Sequence, residues 1–189
     1  IQPEQACAGE VFRAYVFLDT RDDGRGSIRV RYGVERNLCL NLIILGRAET
    51  KLSVRHAGDV GALRAEVETA FAESAKAMQG FADKWSAARN DAILDAATWS
   101  KFGTEEVFRR VVDADLVRVP GVKAEELVPR LVSAWQAEPG YTRADLVNAI
   151  TRAAHTDGWR TPWTTEALEE QAGELLYQRV LWQQALEAA

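Results

Sequence analysis

Cysteine and histidine are scarce in this chain, and long apolar runs are missing. Cys7 and Cys39 are the only cysteines among the 189 residues. Two isolated thiols make neither a disulfide scaffold nor a zinc site, although a single bridge between them is left open. No run of about 18 uncharged apolar residues occurs, and no basic segment precedes an apolar one. The sequence therefore predicts no membrane span and no signal peptide, and a cytoplasmic location is expected.

The motifs of common catalytic and metal centres are also missing. There is no strand-to-helix glycine loop that would hold a phosphate, no His-Glu-x-x-His, no Cys-x-x-Cys pair and no nucleophile elbow. We therefore expect no catalytic residues, no metal and no cofactor. An enzyme that uses Cys39 with His56, or His56 with His155, is the least favoured hypothesis.

Charge divides the chain unevenly. The net charge is −5, which argues against a uniformly basic nucleic-acid binder. Residues 1–56 hold nine Lys and Arg against seven Asp and Glu, whereas residues 57–189 hold fourteen against twenty-one. The basic excess thus lies in the first part, and the second part repels phosphate.

The first part has the pattern of strands. Phe12–Leu18 and Ser27–Tyr32 are β-branched and aromatic runs on either side of a turn rich in Asp and Gly, which predicts a hairpin. The apolar run Leu38–Leu45 is either a buried strand or a short buried helix. Lys51–His56 alternates again as a strand.

The remainder has the pattern of helices. Apolar residues at spacings of three and four predict a long helix from Val60 to about Ala88. Further helices are predicted over 91–102, 105–114, 123–137, 143–155 and from 165 to the end, with Gly103 as a break and Thr142 as a cap. The fold class expected is α+β: a small antiparallel sheet, hairpin plus further strands, packed against the long helix and a mainly helical C-terminal part. We expect two parts, 1–88 and 89–189, packed as one unit.

Arginines alternate with apolar residues along the predicted hairpin. Arg29 and Arg31 fall on one face, and Arg13 joins them if the register allows. Such a face is either an ordinary solvated surface or a phosphate track on which Tyr15 or Tyr32 stacks a base. The candidate nucleic-acid-binding residues are Arg13, Arg29, Arg31, Arg36, Arg47, Lys51 and Arg55.

Three stretches, Val34–Asn41, Leu52–Val60 and Thr142–His155, resemble the family catalogued as domain of unknown function 932 of phages and plasmids. The most specific piece is Arg-His-Ala-Gly-Asp-Val, similar to the family's Arg-His-Thr-Gly-Asn-Val before a long helix. Asp59 stands where the family has Asn, and the altered spacing of Cys39 and Asn41 is a second departure. The candidate functional residues within these stretches are Asn41, His56, Asp59, Asn148 and His155.

The resemblance implies a mobile-element protein without a settled activity. The family's strands followed by a long helix are reminiscent of single-strand annealing recombinases, an analogy of fold alone. The start at Ile1 suggests that an N-terminal half is missing. The first hypothesis is a non-catalytic protein, expected to form homo-oligomers, that binds single-stranded nucleic acid. The alternative is a protein-interaction or assembly factor in which Trp159 and Trp163 form the contact, unless both tryptophans close the core.

Overall fold

A computed structural model divides the chain into two compact units, Ile1–Asp83 and Lys84–Ala189. The described residues are 4–7, 10–19, 27–36, 42–44, 52–55, 60–92, 96–156, 158–159 and 162–187. The predicted packing of 1–88 and 89–189 as one unit stays a prediction.

Five strands, all paired antiparallel, lie in the first unit. They are β1 (Glu4–Cys7), β2 (Glu10–Asp19), β3 (Ser27–Arg36), β4 (Leu42–Ile44) and β5 (Leu52–Arg55). β2 pairs with β1 and β3, and β3 also pairs with β4 and β5. Because β2 and β5 both pair with residues 29 and 30 of β3, they lie along opposite edges of that strand.

A helix of 30 residues, α1 (Val60–Arg89), follows the strands. Its apolar residues at spacings of three and four form one stripe along the helix. Phe81 and Trp85 lie on this stripe and are buried. Within the first unit, Phe81 meets Phe12 of β2 edge to face, with ring centroids 5.0 Å apart. The long helix predicted from the sequence is confirmed.

Five further helices pack on one another in the second unit. They are α2 (Ala96–Asp113), α3 (Ala124–Ala137), α4 (Arg143–Ala154), α5 (Pro162–Tyr177) and α6 (Arg179–Glu187). Their inward stripes supply fully buried side chains such as Phe108, Leu131, Ile150, Leu168 and Trp182. Burial of these stripes removes apolar surface from water, which is the main force that stabilises the unit.

Gly103 interrupts α2, as the sequence predicts. Its φ of 77° and ψ of 159° are non-helical and turn the chain between two helical stretches. The predicted last helix is wrong in its bounds: it begins at Pro162, and residue 178 separates α5 from α6. The carbonyls of Leu175 and Leu176 accept from Trp182 Nε1 and an arginine of α4, so the last turn of α5 is capped by side chains and the helix ends there.

The start of α4 is fixed by local and distant contacts. Thr142 caps it as predicted, and Asp145 completes a capping box, because each side chain accepts from the other residue's backbone N–H. Arg89 forms an ion pair of 2.6 Å with the same Asp145. Arg143 pairs with Asp91 at 3.1 Å while both side chains are largely buried. These contacts tie residues 89–91 to the first turn of α4.

The predicted α+β class is wrong, because helices hold most of the described residues and most of the core. Burial is described for only six strand residues, of which Phe12, Gly33 and Val34 are buried. Three of the strands have three or four residues, below the usual five or six or so. The described chain is mainly helical, and its strands are a minor part rather than a full layer of the core.

Candidate nucleic-acid interface

The register of β2 and β3 decides which arginines share a face. Directly opposed residues of an antiparallel pair lie on the same face, and successive residues alternate between faces. Arg29 is opposite Asp19, and Arg31 is opposite Phe17. Arg13 is opposite Glu35, so position 13 lies on the same face as positions 29 and 31.

β5 adds a fourth arginine position. Arg55 is opposite Ser27 of β3, which has the same parity as positions 29 and 31. Positions 13, 29, 31 and 55 therefore lie on one face of the paired strands, which we call the arginine face.

The candidate Arg36 is not part of the arginine face. It is opposite Phe12, which is fully buried, so position 36 belongs to the other face of the strands. Tyr15 is opposite Gly33 and lies on the arginine face, whereas Tyr32 is opposite Val16 on the other face. Of the two tyrosines proposed for stacking, only Tyr15 shares a face with the arginines.

Acidic positions accompany the arginines. Asp19 faces Arg29, and Arg13 lies between Glu35 on β3 and Glu4 on β1. Arg13 is half-buried and already makes contacts within the protein. In the register Arg31 and Arg55 are opposite uncharged residues, so the positive character of the face is concentrated at these two positions, whereas Arg29 is partly offset by Asp19.

Several candidates lie outside the described residues. They are Asn41, Arg47, Lys51, His56 and Asp59. Cys39, the nucleophile of the least favoured hypothesis, also lies outside them.

Asn148 and His155, both in the second unit, make contacts between helices. Asn148 is buried, and its Nδ2 donates to Glu138 Oε2 at 2.9 Å, next to the C-terminal end of α3. His155 caps the C-terminus of α4, and its Nε2 lies 2.8 Å from Oε1 of the buried Glu169 on α5. Each of the two side chains thus joins α4 to a neighbouring element. These contacts give the two residues a structural role.

The tryptophans of the alternative hypothesis are partly described. Trp159 is half-buried, its Nε1 donates to the Ala153 carbonyl at 2.8 Å, and the Arg130 guanidinium lies 4.2 Å from its ring centroid. The side chain of Trp163 lies outside the described residues. Trp159 is therefore an internal packing residue more than an exposed anchor.

The sequence interpretation missed the acidic partners of the arginine face. The signal was available in part, because Asp19 directly follows the first predicted strand and Glu35 lies shortly after the second. Their positions opposite Arg29 and Arg13 depend on the register, which the sequence does not specify.

The part of the chain that the structure describes holds neither a metal cluster nor a membrane-spanning helix. No group of three or more His, Cys, Asp or Glu residues there could hold a metal ion. None of the helices described is long and apolar enough to cross a membrane.

Comparison with known proteins gives one match. No curated protein and no solved structure matches the chain. The profile of the family described as Domain of unknown function (DUF932) matches residues 2–105, which include the strands, α1 and the start of α2 up to the break at Gly103. The third resembling stretch, Thr142–His155, lies outside the match. Because the match spans more than half of the 189 residues, the chain belongs to the DUF932 family.

Proposed function

We propose that this protein binds single-stranded nucleic acid on the arginine face, without catalysis, and serves strand annealing or recombination in a phage, plasmid or other mobile element. The observation that carries the proposal is the register, which gathers positions 13, 29, 31 and 55 on one face. The assignment to a mobile element rests on the family resemblance and the analogy of fold alone.

The chemistry of the face suits a phosphate backbone. A guanidinium group donates two parallel hydrogen bonds to phosphate oxygens and stays charged at every physiological pH. Neutralised phosphates release bound counterions, so affinity falls steeply as salt rises. The net charge of −5 means that binding depends on this local surface and not on the charge of the whole protein.

Annealing by such a surface needs no bond to be made or broken in the protein. Two complementary strands repel one another through their phosphates, and a cationic face that neutralises one of them lowers that barrier. Bases turned away from the face stay available for pairing. The proposed activity therefore requires neither a nucleophile nor a cofactor.

Fluorescence anisotropy with a labelled oligothymidine at low salt tests this function. We expect Arg31→Gln to weaken binding roughly three- to tenfold and to reduce the salt slope by about one unit. Arg36→Gln is the matched control, because it removes the same charge from the other face. The proposal is abandoned if the wild-type protein does not bind, or if both variants weaken binding equally.

A second candidate function, protein interaction or assembly, is favoured by one exposed aromatic residue. Tyr141 is 48% exposed, and its ring meets Trp99 with centroids 5.1 Å apart, beside a stacked Trp135. Rigid aromatic side chains are enriched at interfaces. Light scattering over a range of protein concentrations tests self-assembly: a mass above the monomer that falls in Tyr141→Ser supports it, and a monomer throughout contradicts it.

A further inference from the structure

We propose that the single strand crosses the arginine face obliquely, from β5 over β3 to Tyr15 on β2. This inference rests on the proposed function. It adds a path, a footprint and a preference for unpaired bases.

The first half of the path follows from the pairing of β5 with β3. Arg55 is opposite Ser27, so position 55 is the diagonal neighbour of position 29. Diagonal neighbours on one face lie about 7–8 Å apart. Arg29 and Arg31 are alternate residues of β3, about 7 Å apart along the strand.

The second half follows from the pairing of β3 with β2. Tyr15 is opposite Gly33, so position 15 is the diagonal neighbour of Arg31, again at about 7–8 Å. The line therefore carries three cationic positions and then an aromatic one, at nearly equal steps. Each step has about the length of one nucleotide in an extended strand, which gives a footprint of about four nucleotides, within the roughly 4–16 that single-strand-binding folds cover.

The acidic positions of the face select this path over a straight one. A nucleic acid running along β3 from Arg29 and Arg31 would reach Glu35. One running along β2 towards Tyr15 would begin at Asp19. The oblique line passes over none of the acidic positions 4, 19 and 35. It runs beside Asp19 only where it crosses Arg29, and it therefore meets less repulsion for phosphate than either straight path.

Tyr15 supplies the preference for unpaired bases. Tyr15 is half-buried and already makes an interaction within the protein, so its surroundings restrict the side chain. A base stacks on an aromatic side chain only when it is free of its partner strand. The arginines alone would bind duplex and single strand alike, whereas the aromatic position at the end of the line favours a single strand.

Anisotropy with labelled oligothymidines of increasing length, and with a duplex of equal length, tests the path. We expect affinity to rise to about four nucleotides and then to level off, and single strands to bind more tightly than duplex. Tyr15→Leu should weaken single-strand binding roughly tenfold with an unchanged salt slope, and Tyr15→Phe, which keeps the ring, should restore it. Arg13→Gln should weaken binding less than Arg31→Gln, because Arg13 lies between two acidic positions.

The outcomes separate the path from the function. Wild-type protein that does not bind at low salt refutes the proposed function itself. Wild-type protein that binds, while folded Tyr15→Leu binds as tightly or duplex binds as tightly as single strand, overturns the path alone. Circular dichroism of each variant verifies that it is folded.

Discussion

Asp19 and Arg29 occupy directly opposed positions on β2 and β3, on the same face of the paired strands. An opposed carboxylate lowers the positive potential that an arginine offers to phosphate. The arginine face thus carries its own counter-charge, which limits the affinity for a polyanion.

Replacing that carboxylate should strengthen nucleic-acid binding. We expect Asp19→Asn to raise the affinity for an oligothymidine about two- to fivefold at low salt, because one negative charge is removed from the arginine face. Glu10→Gln is the control, since position 10 of β2 lies on the other face and the same negative charge is removed. Anisotropy measures both affinities. Equal gains in the two variants would show that the net charge of the protein, and not the arginine face, controls the affinity for nucleic acid.

Breaking the buried pair of Arg143 and Asp91 should destabilise the second unit. Arg143→Met removes a buried guanidinium that pairs with the Asp91 carboxylate and donates to the Leu176 carbonyl. We expect a loss of about 3–5 kcal/mol in the free energy of unfolding, measured in urea. Arg118→Met serves as the comparison, because its pair with Asp115 is exposed and should contribute below about 1 kcal/mol. Similar losses in the two variants would contradict this assignment.

Gly103 should resist substitution. Its φ of 77° and ψ of 159° fall in a region that side chains with a Cβ avoid, so Gly103→Ala should cost about 1–3 kcal/mol. In Gly80→Ala the added Cβ meets nothing within 4 Å in the middle of α1, and stability should rise by about 0.5–1 kcal/mol. Thermal unfolding followed by circular dichroism measures the stability of both variants. Unchanged stability in Gly103→Ala would contradict the non-helical conformation of Gly103.

His155 should stabilise the second unit through its contact with Glu169. His155→Leu removes one hydrogen-bond partner of the buried Glu169 carboxylate and should cost about 1–3 kcal/mol. The double variant His155→Leu with Glu169→Leu should recover part of that loss, because no charge is then left buried. Urea unfolding of the wild type and the two variants, alongside oligothymidine binding, decides between roles: stable protein with impaired binding would indicate that His155 contacts the ligand.

The features predicted well from the sequence are those that depend on neighbouring residues. The stripe of α1 follows from spacings of three and four, and the start of α4 follows from a capping side chain at Thr142. Gly103 marks a break because glycine alone adopts its backbone conformation at low cost. Each of these signals lies within one or two turns of the chain.

The features missed depend on packing between distant residues. The pair of Arg143 with Asp91 joins positions 52 apart in the sequence, and no local pattern indicates it. The fold class was predicted from the strand pattern of the first 56 residues, but the buried core of the described chain lies mostly on helices. The position of Asn148 beside Glu138 likewise comes from tertiary packing.

Arg143 also connects three segments that lie far apart in the sequence, those of Asp91, α4 and the end of α5. Its guanidinium pairs with the carboxylate of Asp91, which precedes it in the sequence, and donates to the carbonyl of Leu176, which follows it. Removal of α5 from the C-terminal side would take away the Leu176 carbonyl and leave this cation with Asp91 alone of the two acceptors. The helical unit should consequently melt in a single cooperative step, and shortened versions should be degraded instead of persisting as smaller stable cores.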